Sequence, residues 1–288
     1  MSKFFLLLFL SSFVFSCSKK SEKKPEELIL GIYVQDQEND YQDVILIGKI
    51  QADTIKKITD WDEENKDYVQ NRLPYLKKYR NFYSDNNQIT EVFSFDTIRK
   101  KEFLCSELTV GHSDKYNLRI ENEFTVCANF KGSKNFFEEQ VLDLEKSSYS
   151  VIENKLRKAI EDNDVNVASG VNNNYSKNKS NINIEVLQSI DLNADGIKEY
   201  IIKGTINSAY SKKSVILIFN VTKDYIKDVG KIDAWEYGYN LIGVTDLNEN
   251  GKLELIFQGV GYESIGFEIY EITENGFKQL LYTVPYGC

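Results

Sequence analysis

Histidine is almost absent. The 288 residues hold one, His112, beside one methionine, two tryptophans, three prolines and four cysteines. A single imidazole excludes a histidine-rich metal centre and leaves little for a Ser/His or Cys/His catalytic pair. Three prolines exclude a proline-rich scaffold. Positive charge is in deficit as well. Lysine plus arginine number 35 against 44 aspartates plus glutamates, a net charge of −9. A nucleic-acid partner asks for the opposite balance. G-x-S-x-G, a Walker loop, H-E-x-x-H and Cys-x-x-Cys are all missing. No apolar run reaches the roughly 20 residues that a membrane-spanning helix needs. Apolar residues still make up 42% and aromatics 13%, enough for a sizeable core in one large or two ordinary domains.

The N-terminus carries an address. Met1-Ser2-Lys3 is a short positive start, and Phe4 to Phe15 is apolar apart from Ser11 and Ser12. That run fits the hydrophobic region of a secretory signal. Cys17 follows Val14-Phe15-Ser16, and this resembles the lipobox of bacterial lipoproteins, whose signal is removed just before a cysteine that becomes lipid-modified. The resemblance implies a signal peptide over 1–16 and a mature chain anchored to a membrane through lipidated (palmitate-bearing) Cys17. It places the protein in the bacterial cell envelope, with the outer membrane as the expected site. An ordinary signal cleaved elsewhere is the alternative. Residues 18–27 read SKKSEKKPEE; no apolar side chain offsets the entropy of ordering them. We read 17–27 as a lipid-anchored tether.

Export puts the remaining cysteines, Cys105, Cys127 and Cys288, in an oxidising compartment. Cys105 and Cys127 sit in strand-like runs separated by turn material from Gly111 to Asn117, so a cross-strand disulfide is expected there. Two buried free thiols are the alternative.

The fold class reads as mainly β. Leu28–Val34, Val44–Ile50 and Ile89–Phe95 look like strands. Tyr68 to Tyr83 is ambiguous, a short helix broken at Pro74. One convincing helix is capped by Ser147 or Ser148, and Tyr149, Ile152, Leu156, Ala159 and Ile160 fall on one face of it. These features suggest a β-rich N-terminal domain over 28–162 that ends in a helix, then a polar linker over 163–181.

The C-terminal part, 182–288, repeats itself. Asp191-Leu192-Asn193-Ala194-Asp195-Gly196-Ile197-Lys198-Glu199 recurs as Asp246-Leu247-Asn248-Glu249-Asn250-Gly251-Lys252-Leu253-Glu254, an offset of 55 residues. The flanks repeat too, and each unit reads as about four short strands with the acidic loop between the first and second. A unit of this kind suggests a propeller-like blade. D-x-N-x-[DN]-G-x-x-E presents side-chain oxygens from Asp191, Asn193, Asp195 and Glu199, and again from Asp246, Asn248, Asn250 and Glu254. The backbone carbonyls of Ile197 and Lys252 complete each set. Oxygen donors at alternating positions suit a hard cation, Ca²⁺ above Mg²⁺. An EF-hand would place glutamate at Ile202 and Phe257 and would flank the loop with helices. The loops instead resemble the calcium loops of FG-GAP and VCBS repeats, the integrin α-subunit propeller family. The same Asp-Gly and Asn-Gly pairs also serve metal-free hairpins.

Trp235, Tyr237, Tyr239 and Tyr262 form a candidate partner-binding ledge, with alternating core positions as the plainer reading. Together these features point to a lipid-anchored, calcium-stabilised binding protein of the envelope with a protein or glycan partner. One version is an inhibitor or immunity protein for a cell-wall hydrolase. The alternative is a secreted hydrolase that uses Asp/Glu carboxylates. Replacing the anchor tests the address: Cys17→Ala is expected to abolish lipid labelling and move the protein to the soluble fraction. Unchanged membrane association without palmitate label would sink the lipoprotein reading.

Overall fold

In a computed structural model of the chain, the described residues are 27–36, 41–52, 54–58, 68–85, 90–103, 106–114, 124–129, 146–167, 181–207, 212–221, 226–235, 238–273 and 276–287. Cys17, Cys105, Tyr237, Cys288 and most of the polar linker lie outside them. No helix among the described residues is long and apolar enough to cross a membrane. The fold is mainly β, as the sequence suggests.

The first sheet is eight-stranded. It contains β1 (Leu28–Asp36), β2 (Tyr41–Gln51), β3 (Thr54–Lys57), β4 (Asn81–Asp85), β5 (Thr90–Ser94), β6 (Thr97–Phe103), β7 (Ser106–Ser113) and β8 (Phe124–Ala128). The order is β5-β4-β8-β1-β2-β7-β6, with β3 also paired to β2. Helix α1 (Tyr68–Lys78) sits between β3 and β4 in the chain and runs through Pro74 rather than breaking there. Arg72 and Leu76, one turn apart on one face, are both fully buried. Arg72 Nε also donates to the Leu46 carbonyl at 3.0 Å. That packing outweighs the hydrogen bond the proline removes.

Two four-stranded antiparallel sheets follow. One is β9 (Ile182–Ile190), β10 (Glu199–Asn207), β11 (Lys212–Val221) and β12 (Ile226–Asp233); the other is β13 (Gly238–Thr245), β14 (Glu254–Val260), β15 (Ser264–Thr273) and β16 (Gly276–Gly287). In each, sequential strands are spatial neighbours. The repeated loops join β9 to β10 and β13 to β14, where the sequence puts them.

Period-two alternation decides how the sheets stack. In β14, Leu255 and Phe257 pack toward the β9–β12 sheet, with Ile201, Ile216 and Ile218. Their neighbour Ile256 packs the opposite way, with Leu30, Ile32, Ile45 and Ile47 of the first sheet. The β13–β16 sheet therefore lies between the other two. The outer face of the first sheet (Ile29, Tyr33, Val44, Leu46) is covered by Leu76 of α1. The outer face of the β9–β12 sheet (Ile202, Val215, Leu217, Phe219) is covered by Ile152, Leu156 and Ile160 of α2 (Lys146–Val167).

Two expectations are corrected here. Helix α2 does not close an N-terminal domain. It packs on the second sheet, and the first sheet shares a core with the third, so the boundary expected at 163–181 separates no independent cores. The apolar stripe was legible, except that Tyr149 is exposed; which sheet the stripe meets was not. The expected Cys105–Cys127 disulfide is replaced by a free, fully buried thiol at Cys127. β8, which carries Cys127, lies between β1 and β4 in the sheet; Cys105 lies outside the described residues. Burial pushes the Cys127 thiol well above its ordinary range.

Shared cores imply joint unfolding. Leu156→Ala, at a fully buried position on α2, is expected to cost about 2–5 kcal/mol. Chemical denaturation should follow one transition by both fluorescence and circular dichroism. Two separate transitions, with only the earlier one moved by the substitution, would contradict the shared core.

Candidate functional site

The two repeated loops fold alike because their backbones have the same needs. Ala194 and Glu249, equivalent positions, take φ of 60° and 58°, and Gly196 and Gly251 both take φ of 85°. Left-handed backbone is easy for glycine and costs a residue with a Cβ. The loops meet that cost with carboxylate and amide oxygens that gather their own N–H groups. Asp191 Oδ1 accepts from the Asp195 N–H at 3.1 Å and its Oδ2 from Gly196 at 2.8 Å. Asn193 Oδ1 also takes the Asp195 N–H, at 3.0 Å. Asp195 Oδ1 accepts from Ile197 at 2.8 Å, and its Oδ2 accepts from Asn193 Nδ2 at 3.0 Å. In the second loop Asp246 accepts from Asn250 and Gly251, both at 3.0 Å. Asn248 Oδ1 accepts from Asn250 at 3.1 Å, and Asn250 Oδ1 from Lys252 at 2.8 Å.

The closing glutamates face inward. Glu199 Oε2 accepts from the Leu192 N–H at 2.8 Å, and Glu254 Oε2 from the Leu247 N–H at 2.7 Å. The other oxygen of each, Oε1, is buried without a hydrogen-bond partner. An unpaired buried carboxylate oxygen is costly. Burial raises the Glu199 carboxyl, and the nearby Asp195 and Asp191 raise it further. Burial pushes Glu254 up to about 8, with Asp246 and Glu271 adding to the rise.

Glu271 is a residue that sequence reasoning missed. It comes from β15, two strands along the chain, and its Oε2 accepts from Asn250 Nδ2 at 2.8 Å and Asn248 Nδ2 at 3.5 Å. The second loop therefore has three nearby acids, Asp246, Glu254 and Glu271, although its own segment supplies two of them. Only the cross-strand register, Glu254 opposite Glu271, brings the third into place.

The loops also touch each other. The Leu253 N–H donates to the Leu192 carbonyl at 2.8 Å. Leu192 follows the first aspartate of one loop, and Leu253 precedes the closing glutamate of the other. Among the described residues no group of three or more His, Cys, Asp and Glu side chains forms a ready-made metal site. Each loop instead mixes carboxylates with asparagine amides and backbone carbonyls. That donor set, with one unpaired buried carboxylate oxygen per loop, fits a hard oxygen-seeking cation.

The aromatic ledge does not survive intact. Tyr239 is fully buried, and its hydroxyl donates to Glu268 Oε2 at 2.6 Å. Trp235 Nε1 donates to Glu268 Oε1 at 2.8 Å. The Trp235 ring lies flat on the third sheet, where a Cβ at Gly259 would stand 2.4 Å from its Cδ2. Tyr262 is 79% exposed, and Tyr282, which sequence reasoning passed over, is 47% exposed with its ring 6.1 Å from Trp235. Period-two alternation puts Tyr239 on the core face and so explains its burial. His112 is committed at both ring nitrogens, Nδ1 to Asp43 at 2.7 Å and Nε2 to Asp114 at 2.9 Å.

Compared with protein-family models, with curated proteins and with solved structures, the chain matches none.

The raised Glu254 carboxyl makes stability depend on pH. Between the ordinary value of 4.5 and about 8 the folded chain keeps a proton that the unfolded chain has released. Stability in EDTA is therefore expected to fall as pH rises through that window. The slope from this group is at most about 1.4 kcal/mol per pH unit. Glu254→Gln should flatten it. Urea melts across the window that give both chains the same slope would contradict the assignment.

Proposed function

We propose that the protein is a lipid-anchored binding protein of the bacterial cell envelope whose repeat sheets are stabilised by Ca²⁺. One observation carries the calcium reading: two loops of the same D-x-N-x-[DN]-G-x-x-E pattern and like backbone, each holding a buried carboxylate oxygen that has no partner. The FG-GAP and VCBS resemblance of those loops agrees with it. Asp191, Asn193, Asp195, Glu199 and the Ile197 carbonyl would hold one ion. Asp246, Asn248, Asn250, Glu254 and the Lys252 carbonyl would hold the other, with Glu271 adding negative charge. A bound cation would offset the repulsion among these acids and release the proton that burial keeps on Glu254.

The partner side of the reading rests on the opposite end of the repeat. The calcium-type loop leaves β13 at Thr245, whereas Trp235 and the turn at 261–263 lie at the end where Gly238 pairs with Val260. Tyr262 and Tyr282 present broad aromatic surface there, the side-chain type favoured at interface centres. The partner is a protein or glycan of the envelope, and a cell-wall hydrolase that this protein inhibits is the specific version we favour.

A ligand that binds only the folded state stabilises it by about 2.7 kcal/mol at a hundredfold excess over Kd. Ca²⁺ is thus expected to raise the melting temperature and EDTA to lower it. Asp191→Ala and Asp246→Ala should each remove part of the response, to similar extents, because each loop has three acids nearby. Equal melting in calcium and EDTA would remove the calcium reading. For the partner, a purified lysozyme-type hydrolase should be captured by the protein and lost on Tyr262→Ala with no change in melting. Turnover of peptidoglycan by the chain alone would favour the hydrolase alternative instead.

A further inference from the structure

One peptide group belongs to both repeated loops. The plane that joins Lys252 to Leu253 carries the Lys252 carbonyl at one end and the Leu253 N–H at the other. The calcium reading counts that carbonyl among the donors of the second loop. The N–H donates across to the first loop, to the Leu192 carbonyl at 2.8 Å. A peptide plane is rigid, and its C=O and N–H point in opposite directions. What fixes the N–H therefore fixes the carbonyl.

Leu192 is held at its other end as well. Its N–H donates to Glu199 Oε2 at 2.8 Å, and Glu199 Oε1 is the buried oxygen without a hydrogen-bond partner. A line of contacts thus runs from the closing glutamate of the first loop, through the backbone of Leu192, to a backbone donor of the second. It continues along the chain. Glu254 follows Leu253 directly, its Oε2 accepts from the Leu247 N–H at 2.7 Å, and its own Oε1 is likewise buried and unpaired. The line is buried throughout. Leu192, Glu199 and Glu254 are fully buried, and Leu253 is 9% exposed. Leu192 and Leu253 share one core with Ile201 and Leu255. A hydrogen bond in such surroundings is stronger than the same bond in water, and close packing passes a displacement on rather than absorbing it.

We infer that the Leu253–Leu192 hydrogen bond couples the two loops, so that a divalent cation held by one raises the affinity of the other. The inference rests on the calcium reading and adds a regulation to it. Glu199, once its Oε1 is engaged, holds Leu192 in one position. Leu192 then presents a carbonyl that fixes the 252–253 peptide, and the second loop pays less entropy to order its backbone donor. Linkage makes the effect equal in the opposite direction. Its expected size is about fivefold in affinity, the lower end of usual couplings between sites. Direct repulsion between two cations would give the opposite sign.

The test titrates Ca²⁺ by calorimetry into the full chain carrying Cys17→Ala, alone and with Asp191→Ala or Asp246→Ala added. Asp246→Ala leaves the first loop to bind and Asp191→Ala the second, so each yields one association constant. With both loops intact, the product of the two stepwise constants is expected to exceed the product of those single-loop constants about fivefold. The same three titrations are repeated with the Leu253 amide replaced by an ester (leucic acid at position 253), which removes the N–H and keeps the side chain. There the excess should vanish while two ions still bind. A second measurement needs no ester: in the Asp246→Ala chain, Ca²⁺ is expected to slow hydrogen exchange at the Leu253 amide about fivefold. A ratio of one or below, an excess that persists in the ester chains, or unchanged exchange at Leu253 overturns the coupling. Each of those outcomes leaves the calcium reading in place, because calcium still binds. Absence of binding heat in every chain removes the calcium reading itself, and the coupling with it.

Discussion

The arrangement depends on one constraint: the β13–β16 sheet is apolar on both faces. An antiparallel sheet commonly packs on one face and meets water on the other. Here β14 is buried along nearly its whole length, and its alternate side chains enter two different cores. Such a sheet has to be covered twice. The first sheet covers one side and the β9–β12 sheet the other. Each of those is left with an apolar outer face, which α1 and α2 cover in turn. The layer order, helix–sheet–sheet–sheet–helix, follows from the middle outward.

Burial on both sides forces polar groups indoors, and they are dealt with in two ways. Glu268, almost fully buried, takes hydrogen bonds from Trp235, Tyr239 and Tyr270. Three donors to one carboxylate compensate its loss of water. The loop glutamates differ, with one oxygen satisfied and one not. The contrast within a single molecule separates a carboxylate that holds the core together from carboxylates left with one buried oxygen unpaired.

Local features were legible in the sequence and non-local ones were not. The 55-residue offset found both loops, and the strands on either side fall where the flanking apolar runs put them. The α2 stripe at Ile152, Leu156 and Ile160 was readable because helical periodicity is a property of neighbouring residues. Its partner sheet was not, since periodicity says that a face is apolar and not what it meets. The same limit explains Cys127. Its strand inserts between β1 and β4, a choice made by packing across the sheet, and no spacing in the chain records it. Glu271 was invisible as a contributor to the second loop because the register of β14 against β15 alone puts it there.

The two helices have a further consequence for growth. Propeller and solenoid repeats extend by offering the next unit an apolar sheet face. In this molecule α1 and α2 lie on the outermost sheet faces, and the sheets between them are already in mutual contact. A third copy of the four-stranded unit could be accommodated only by displacing a helix or by separating two sheets that share a core. Among the described residues the stack of sheets is therefore closed at both ends by the protein's own helices.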